Sequence, residues 1–328
     1  MKSNKYEIDM CNGSIMDKLV SFALPLMLSG ILQLMFNAVD IIVVGRFSGS
    51  EALAAVGSTT ALINVFTNLF IGISLGANVL AARFFAAGRK EEMSETVHTS
   101  ITLALISGIL MAFVGLVFSK GALELMGTPE DVIGLSTLYM RIYFMGMPFF
   151  MLYNYGAAIL RAVGDTKRPL YFLIIAGVIN AGLNMVLVIV FGLGVAGVGI
   201  ATVFSQMVSC VLVLTCLCRT EGSYKLSFSK LSMKGYYLKQ IFQVGIPAGI
   251  QSTVINFSNA LLQSSVNSFG STAMAGYTAA NNILGFLYVS INSVTQACMS
   301  FTSQNFGVGK YKRCLLYTSD AADDSLRV

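Results

Sequence analysis

LPLMLSGILQLMFNAVDIIVVGRFSGSEALAAVG, Leu24 to Gly57, returns later in the chain as IPAGIQSTVINFSNALLQSSVNSFGSTAMAGYT, Ile246 to Thr278. Pro25 falls on Pro247, Asn37 on Asn259 and Phe47 on Phe269. After a one-residue deletion Gly49, Ser50, Ala52 and Ala54 fall on Gly270, Ser271, Ala273 and Ala275, and the register holds to Phe85/Phe306 and Gly88/Gly309. Each match is weak alone, but a single register through all of them indicates a duplication. Both copies are apolar enough to cross a bilayer. Duplicated membrane bundles are the usual build of secondary transporters.

The 328 residues are 55% hydrophobic and 11% charged, with a mean hydropathy of +0.73, against roughly 25% charged in soluble domains. A spanning helix needs about 20 mostly apolar residues. Eight spans are expected: 18–44, 53–82, 97–119, 133–160, 169–191, 195–217, 240–266 and 275–303. A β-barrel would show short alternating segments instead of these continuous runs. The fold class is therefore all-α, a polytopic membrane bundle. Lys2, Lys5, Glu7, Asp9 and Asp17 interrupt any short apolar leader, so the first span reads as an uncleaved anchor. The six cysteines have no CxxC or metal-type spacing and read as small apolar fillers.

Charge checks the span count. Lys2, Lys5 and Lys18 precede span 1; Arg83, Arg89 and Lys90 follow span 2; Arg161, Lys167 and Arg168 follow span 4. Arg219, Lys225, Lys230, Lys234 and Lys239 follow span 6, and Lys310, Lys312 and Arg313 follow span 8. The opposite loops hold only Arg46 and Lys120. Such alternation places the N-terminus and the basic loops in the cytoplasm of a cell (plasma or inner) membrane protein. The net charge of +5 is spent on this asymmetry and gives no sign of nucleic-acid binding.

The repeat unit holds six spans, an even number, so both copies enter the membrane in the same direction. Residues 1–218 form a first lobe, 219–239 a basic cytoplasmic linker, and 240–313 the start of a second lobe. CLLYTSDAADD, Cys314 to Asp324, departs in composition from everything before it and resembles a sequencing-adaptor reading frame. Residues 314–328 are accordingly expected to be non-native, the other reading being a short acidic tail.

Of sixteen carboxylates only Asp40 lies well inside a span. An acid there costs about 2.5–3.5 kcal/mol on insertion scales and persists where it meets a wet cavity, a cation or a proton. The other reading is an acid at the outer helix end that reaches the headgroups. Gln33, Asn37 and Asp40 share one helix face by spacing. Asn180 and Asn184 share a face of span 5, and Thr202 and Gln206 a face of span 6. These groups offer oxygens to a cation or join helices by hydrogen bonds. Span 7 carries Asn256, Asn259, Gln263 and Asn267, and span 8 carries Asn281, Asn282, Asn292 and Gln296. These uncharged faces suit a wide wet cavity. Met145, Met147 and Met151 with Phe149, Phe150, Tyr153 and Tyr155 enrich span 4, as adaptable ligand contacts or, more ordinarily, as packing. Arg141 reads as snorkelling to headgroups and His98 as a solvated cytoplasmic residue. Gly194, Gly197 and Gly199 read as close-packing glycines, since no strand precedes them and the phosphate-cradle context is missing. No Walker A motif appears.

With these residues laid out, the chain resembles the multidrug and toxic compound extrusion (MATE) family of the multidrug/oligosaccharidyl-lipid/polysaccharide flippase superfamily. The resemblance covers about residues 15–313. It rests on Pro25, Gln33, Asn37, Asp40 and Gly45 in span 1, RAVGDTKRP at Arg161–Pro169, and Asn180 with Asn184. It rests equally on AGVGIAT at Ala196–Thr202, GIPAGIQS at Gly245–Ser252 and QNFGVGK at Gln304–Lys310. It implies twelve helices in two six-helix lobes around a cleft, of which this chain, C-terminally truncated, carries eight. It further implies a monomer without a cofactor that exchanges H⁺ or Na⁺ for amphipathic, often cationic, small molecules. The family's cation-responsive site carries onto Asp40, with Asn180, Asn184, Thr202 and Tyr139 around it. A bound metal is expected only as a possible Na⁺ at Asp40. A cavity for substrate is expected around Gln33, Asn37, Asn256, Asn259, Gln263 and Met151. Where some members carry a second acid on helix 5, this chain has Asn184. Where some carry an acid on helix 7, it has none between Gln251 and Asn267, which leaves the coupling ion open.

A lipid-linked oligosaccharide or polysaccharide flippase is the alternative, but it needs many intramembrane Arg or Lys and only Arg141 qualifies. A membrane enzyme needs a nucleophile, metal ligands or paired acids at depth, and none is present. A further alternative is a nonfunctional transporter fragment, since eight helices leave second-lobe faces unpaired.

Overall fold

The computed structural model describes residues 6–267 and 271–315, and every regular element among them is helical. The helices are α1 (Ile15–Phe47), α2 (Ser50–Ala86), α3 (Lys90–Leu125), α4 (Glu130–Met145), α5 (Met147–Ala162), α6 (Lys167–Asn184), α7 (Gly194–Arg219), α8 (Gly235–Asn267) and α9 (Ser271–Gly307). A π-helical stretch, Met185–Val190, extends α6, and a short 3-10 turn, Phe228–Lys230, sits in the linker. At about 1.5 Å per residue the 33 residues of α1 reach past a hydrocarbon core about 30 Å thick. Six of the expected spans lie inside single helices and fall short of their ends; the one at 169–191 runs from α6 through the π stretch, and the one at 133–160 is divided.

Among the described residues, five helices are by themselves long and apolar enough to cross a membrane: Ile15–Phe47, Ser50–Ala86, Lys90–Leu125, Lys167–Val190 and Gly194–Arg219. The span expected at 133–160 is two rods. α4 and α5 have 16 residues each and break at Gly146. The cause is local: Pro148 has no N–H to give back to the preceding turn. Gly146 then caps both helices, its N–H donating to Tyr143 and its carbonyl accepting from Phe149 and Phe150. α8 and α9 are long enough but carry many amides and hydroxyls, which lower their hydropathy.

The duplication is visible in backbone geometry. α2 and α9 end on glycines in the left-handed region, Gly88 at φ +69° and Gly309 at φ +72°. Both turns close identically. Gly88 N–H donates to Phe85 and Arg89 N–H to Phe84; Gly309 N–H donates to Phe306 and Lys310 N–H to Asn305. A side chain at either glycine position costs roughly 1–2 kcal/mol in that conformation.

The main core lies among α2, α3, α4, α5 and α7, with Met93, Val97, Phe144, Met147, Met151, Tyr155, Val198 and Val213 buried. α2 is the central rod, packed on α3, α4 and α5 on one side and on α8 and α9 on the other. The linker is folded back onto this core: Tyr224 and Leu226 are buried, and Leu226 N–H donates to Leu217. His98, expected to be solvated, is buried there. Its Nδ1 sits 2.6 Å from the Ser94 carbonyl and its Nε2 accepts from Ser227 N–H at 3.1 Å. The correction has a simple cause: the linker returns to cover the end of α3. In the RAVGDTKRP turn the fully buried Asp165 pairs with Arg168, whose N–H also donates to it at 3.1 Å. Burial holds the Asp165 carboxyl above the usual carboxylate range, and the Arg168 hydrogen bonds and charge offset this only in part.

Candidate cation site and cleft

Asp40 sits about two turns from the end of α1, half-buried, and among the described residues it forms no ion pair. What meets it is α6. The two helices run in the same direction and approach closely because Gly177 has no side chain: a Cβ there would overlap the Phe36 ring. One turn beyond Phe36 on α1 and two turns beyond Gly177 on α6, Asn184 Nδ2 donates to Asp40 Oδ1. The same Nδ2 lies 3.2 Å from Asn180 Oδ1. Asn184 is fully buried and its Oδ1 has no partner. An orphaned buried acceptor costs about 1–3 kcal/mol. The cluster therefore offers a carboxylate, one unused amide oxygen and a second amide oxygen within one helix turn, and lacks a positive charge.

The remaining expected site residues stand at different distances from this cluster. Thr202 is on α7, which packs against α6; its hydroxyl donates to Val198 at 2.9 Å within its own helix and keeps its lone pairs free. Tyr139 on α4 is nearly buried, beside the Gly199 position of α7. Tyr139 and Tyr143 both stand within electrostatic reach of Asp40. Tyr143 was not expected. The signal for it is the Tyr139–Tyr143 spacing of one turn, and their rings lie 6.2 Å apart. Arg141, on the same helix, is exposed and forms no ion pair with Asp40. Among the described residues no group of three His, Cys, Asp or Glu could hold a metal ion. The donor set is one of hard oxygens, suited to a proton or an alkali cation and unsuited to a transition metal.

Of the residues expected to line a cavity, Gln33, Asn37 and Asn259 are exposed, and Asn256 is half-buried, its amide donating to Ser252 at 2.8 Å. Gln263, Asn267, Asn281 and Asn282 have side chains outside the described set. Met151 departs from the expectation: it is fully buried in the main core and packs there with no open face. Gln206 is half-buried beside the α4–α5 break, its Oε1 without a partner. Gly199 closes against Ile142 and Gly197 against Leu187, as close-packing glycines do.

The MatE family model matches residues 25–186 and 247–319. The probable multidrug resistance protein YoeA of Bacillus subtilis (strain 168) is 34% identical over 301 residues, 89% of this chain and 65% of that protein. YpnP of the same organism, also a probable multidrug resistance protein, is 29% identical over 93% of this chain and 68% of its own length. A solved structure described as the outward-facing conformation of a multidrug resistance MATE family transporter superposes with a TM-score of 0.88 at 25% identity. It covers 97% of this chain and 71% of the other. The chain thus spans about two thirds of the length of the relatives it matches.

Proposed function

The chain belongs to the MatE family of multi-pass membrane transporters, and on that premise we propose that it is a cation-coupled antiporter exporting amphipathic or cationic small molecules by alternating access. By family it is a transporter. Asp40 is the coupling acid, with Asn184 and Asn180 as its immediate partners and Tyr139, Tyr143 and Thr202 around them. H⁺ or Na⁺ is the coupling ion. The N-terminus and the basic loops face the cytoplasm of the cell membrane.

The single observation that carries this reading is the orphaned Asn184 Oδ1 beside a lone carboxylate. Either coupling ion satisfies it. A proton on Asp40 turns the carboxyl into a donor toward an amide oxygen. A cation between the groups takes both oxygens at once. Either event removes the negative charge that otherwise favours a cationic substrate in the cleft. Substrate release and ion entry are then alternatives at one acid, which is what antiport requires.

The test is transport by the protein expressed from its native gene, reconstituted in vesicles. An imposed H⁺ or Na⁺ gradient drives efflux of a lipophilic cationic dye, and Asp40→Asn removes the gradient dependence. Efflux by Asp40→Asn with unchanged ion dependence rejects the reading.

A further inference from the structure

The two lobes meet along one end of the bundle, the end that carries the basic loops. On α2, Gly72 and Gly76 face Gly249 and Gly245 of α8 so closely that a side chain at any of the four would run into the backbone opposite. A Cβ on Gly245 would lie 2.5 Å from the Ile73 Cα, and one on Gly249 would lie 2.7 Å from the Leu69 carbonyl oxygen. Nearer the helix ends, a Cβ on Gly307 of α9 would overlap the Arg83 carbonyl of α2, and the Arg83 guanidinium stacks 4.9 Å from the Phe306 ring.

Polar groups span the same seam. Asn78 of α2 donates to the Ala158 carbonyl of α5 at 2.8 Å and accepts from Ser300 of α9 at 3.2 Å. Gln304 of α9 donates to the Ala162 carbonyl at 2.8 Å. Residues 7–13, ahead of α1, are strapped across it. Met10 N–H donates to Gln304 Oε1 at 3.3 Å, and Asn305 Nδ2 donates to the Met10 carbonyl at 3.1 Å. Lys310 donates to the Cys11 carbonyl at 2.9 Å. The Met10 side chain is fully buried with Phe22 and Leu26 of the first lobe and Ala297 and Phe301 of the second. Farther along, Val254, Leu262, Leu284 and Leu287 are exposed.

We propose that residues 7–13 are a latch that holds the basic-loop end of this seam between the lobes shut. The composition fits an interface made to part. Glycine contacts bury little apolar side chain, so separating them exposes little to water. The amides and hydroxyls of Asn78, Ser300, Gln304 and Asn305 regain water as partners when the seam opens. Asn305 Oδ1 is already without a partner in the closed arrangement. A permanent seam is better served by interlocking leucines. The strap joins both lobes in one short segment, so its release and the parting of α2 from α8 are one event.

The inference rests on the proposed alternation between lobes, but its test uses neither substrate nor ion gradient, so the two fail separately. In a background without the native cysteines, Ser300→Cys is labelled by an impermeant maleimide from the basic-loop face of oriented vesicles, and Asn259→Cys from the opposite face. Ser300→Cys labels slowly when the latch is intact. Gln304→Met, which keeps the side-chain length, and deletion of residues 2–10 each raise its rate about ten-fold, as the loss of one or two net hydrogen bonds predicts. Gly249→Leu, acting on the seam and not on the strap, does the same. In all three, Asn259→Cys labelling slows as the opposite side closes. Unchanged Ser300→Cys labelling overturns the proposal. So does faster Ser300→Cys labelling with Asn259→Cys unaltered, which is local unravelling.

Discussion

Gly177→Ala tests whether the approach of α6 to α1 builds the acid site. The added methyl overlaps the Phe36 ring, so either the ring leaves its rotamer or α6 retreats. Overpacking of this kind costs typically about 1–3 kcal/mol. Because Asn184 rides on the same helix, retreat also stretches its hydrogen bond to Asp40, and hydrogen bonds to charged groups contribute about 1.5–3 kcal/mol. The variant is expected to lose about 2 kcal/mol of stability and about ten-fold in apparent cation affinity. Phe36→Leu opens the space the methyl needs, and the double variant recovers at least about 1 kcal/mol relative to the sum of the singles. Thermal unfolding in detergent measures the cycle, and cation-dependent protection against unfolding reads the affinity. Additivity within about 0.5 kcal/mol, or unchanged cation affinity in Gly177→Ala, refutes the view that this contact positions the site.

Other perturbations have equally definite outcomes. Asp165→Ala leaves the Arg168 guanidinium without its buried carboxylate, and breaking such a pair costs about 3–5 kcal/mol, read as a lower unfolding midpoint; a change under about 1 kcal/mol contradicts this. Gly88→Ala and Gly309→Ala, at matching left-handed turns, each cost about 1–2 kcal/mol in the same unfolding assay, and a cost at one but not the other would contradict their equivalence. His98→Ala frees Ser227 N–H and uncovers the linker; limited proteolysis then cuts within residues 220–234 several-fold faster, while unchanged cutting rates show that the histidine does not hold it.

Much of the fold was legible because membrane-spanning helices announce themselves in runs of apolar residues, and because one register running from Pro25/Pro247 to Gly88/Gly309 exposed the duplication. The break in the span at 133–160 was written in Gly146 and Pro148, but apolar residues continue on both sides and hydropathy alone reads through it. His98 was misread because burial by a returning linker is a tertiary event with no local signal. Asp40, Asn180 and Asn184 were legible as rare polar residues on membrane faces at turn spacing. Met151 was not, since a methionine that packs and one that lines a cleft look alike in sequence. The packing role of Gly72, Gly76, Gly245 and Gly249 is hidden for a related reason, even though the last two lie in the GIPAGIQS motif: a glycine reports close packing only when the facing backbone is known.

The most direct measurement of the central claim is gradient-driven dye efflux by wild type and by Asp40→Asn, with an H⁺ or Na⁺ gradient imposed one at a time. One of the two gradients drives wild-type efflux, and Asp40→Asn still binds dye but no longer responds to that gradient. If Asp40→Asn responds to the same ion as strongly as wild type, coupling does not pass through this carboxyl.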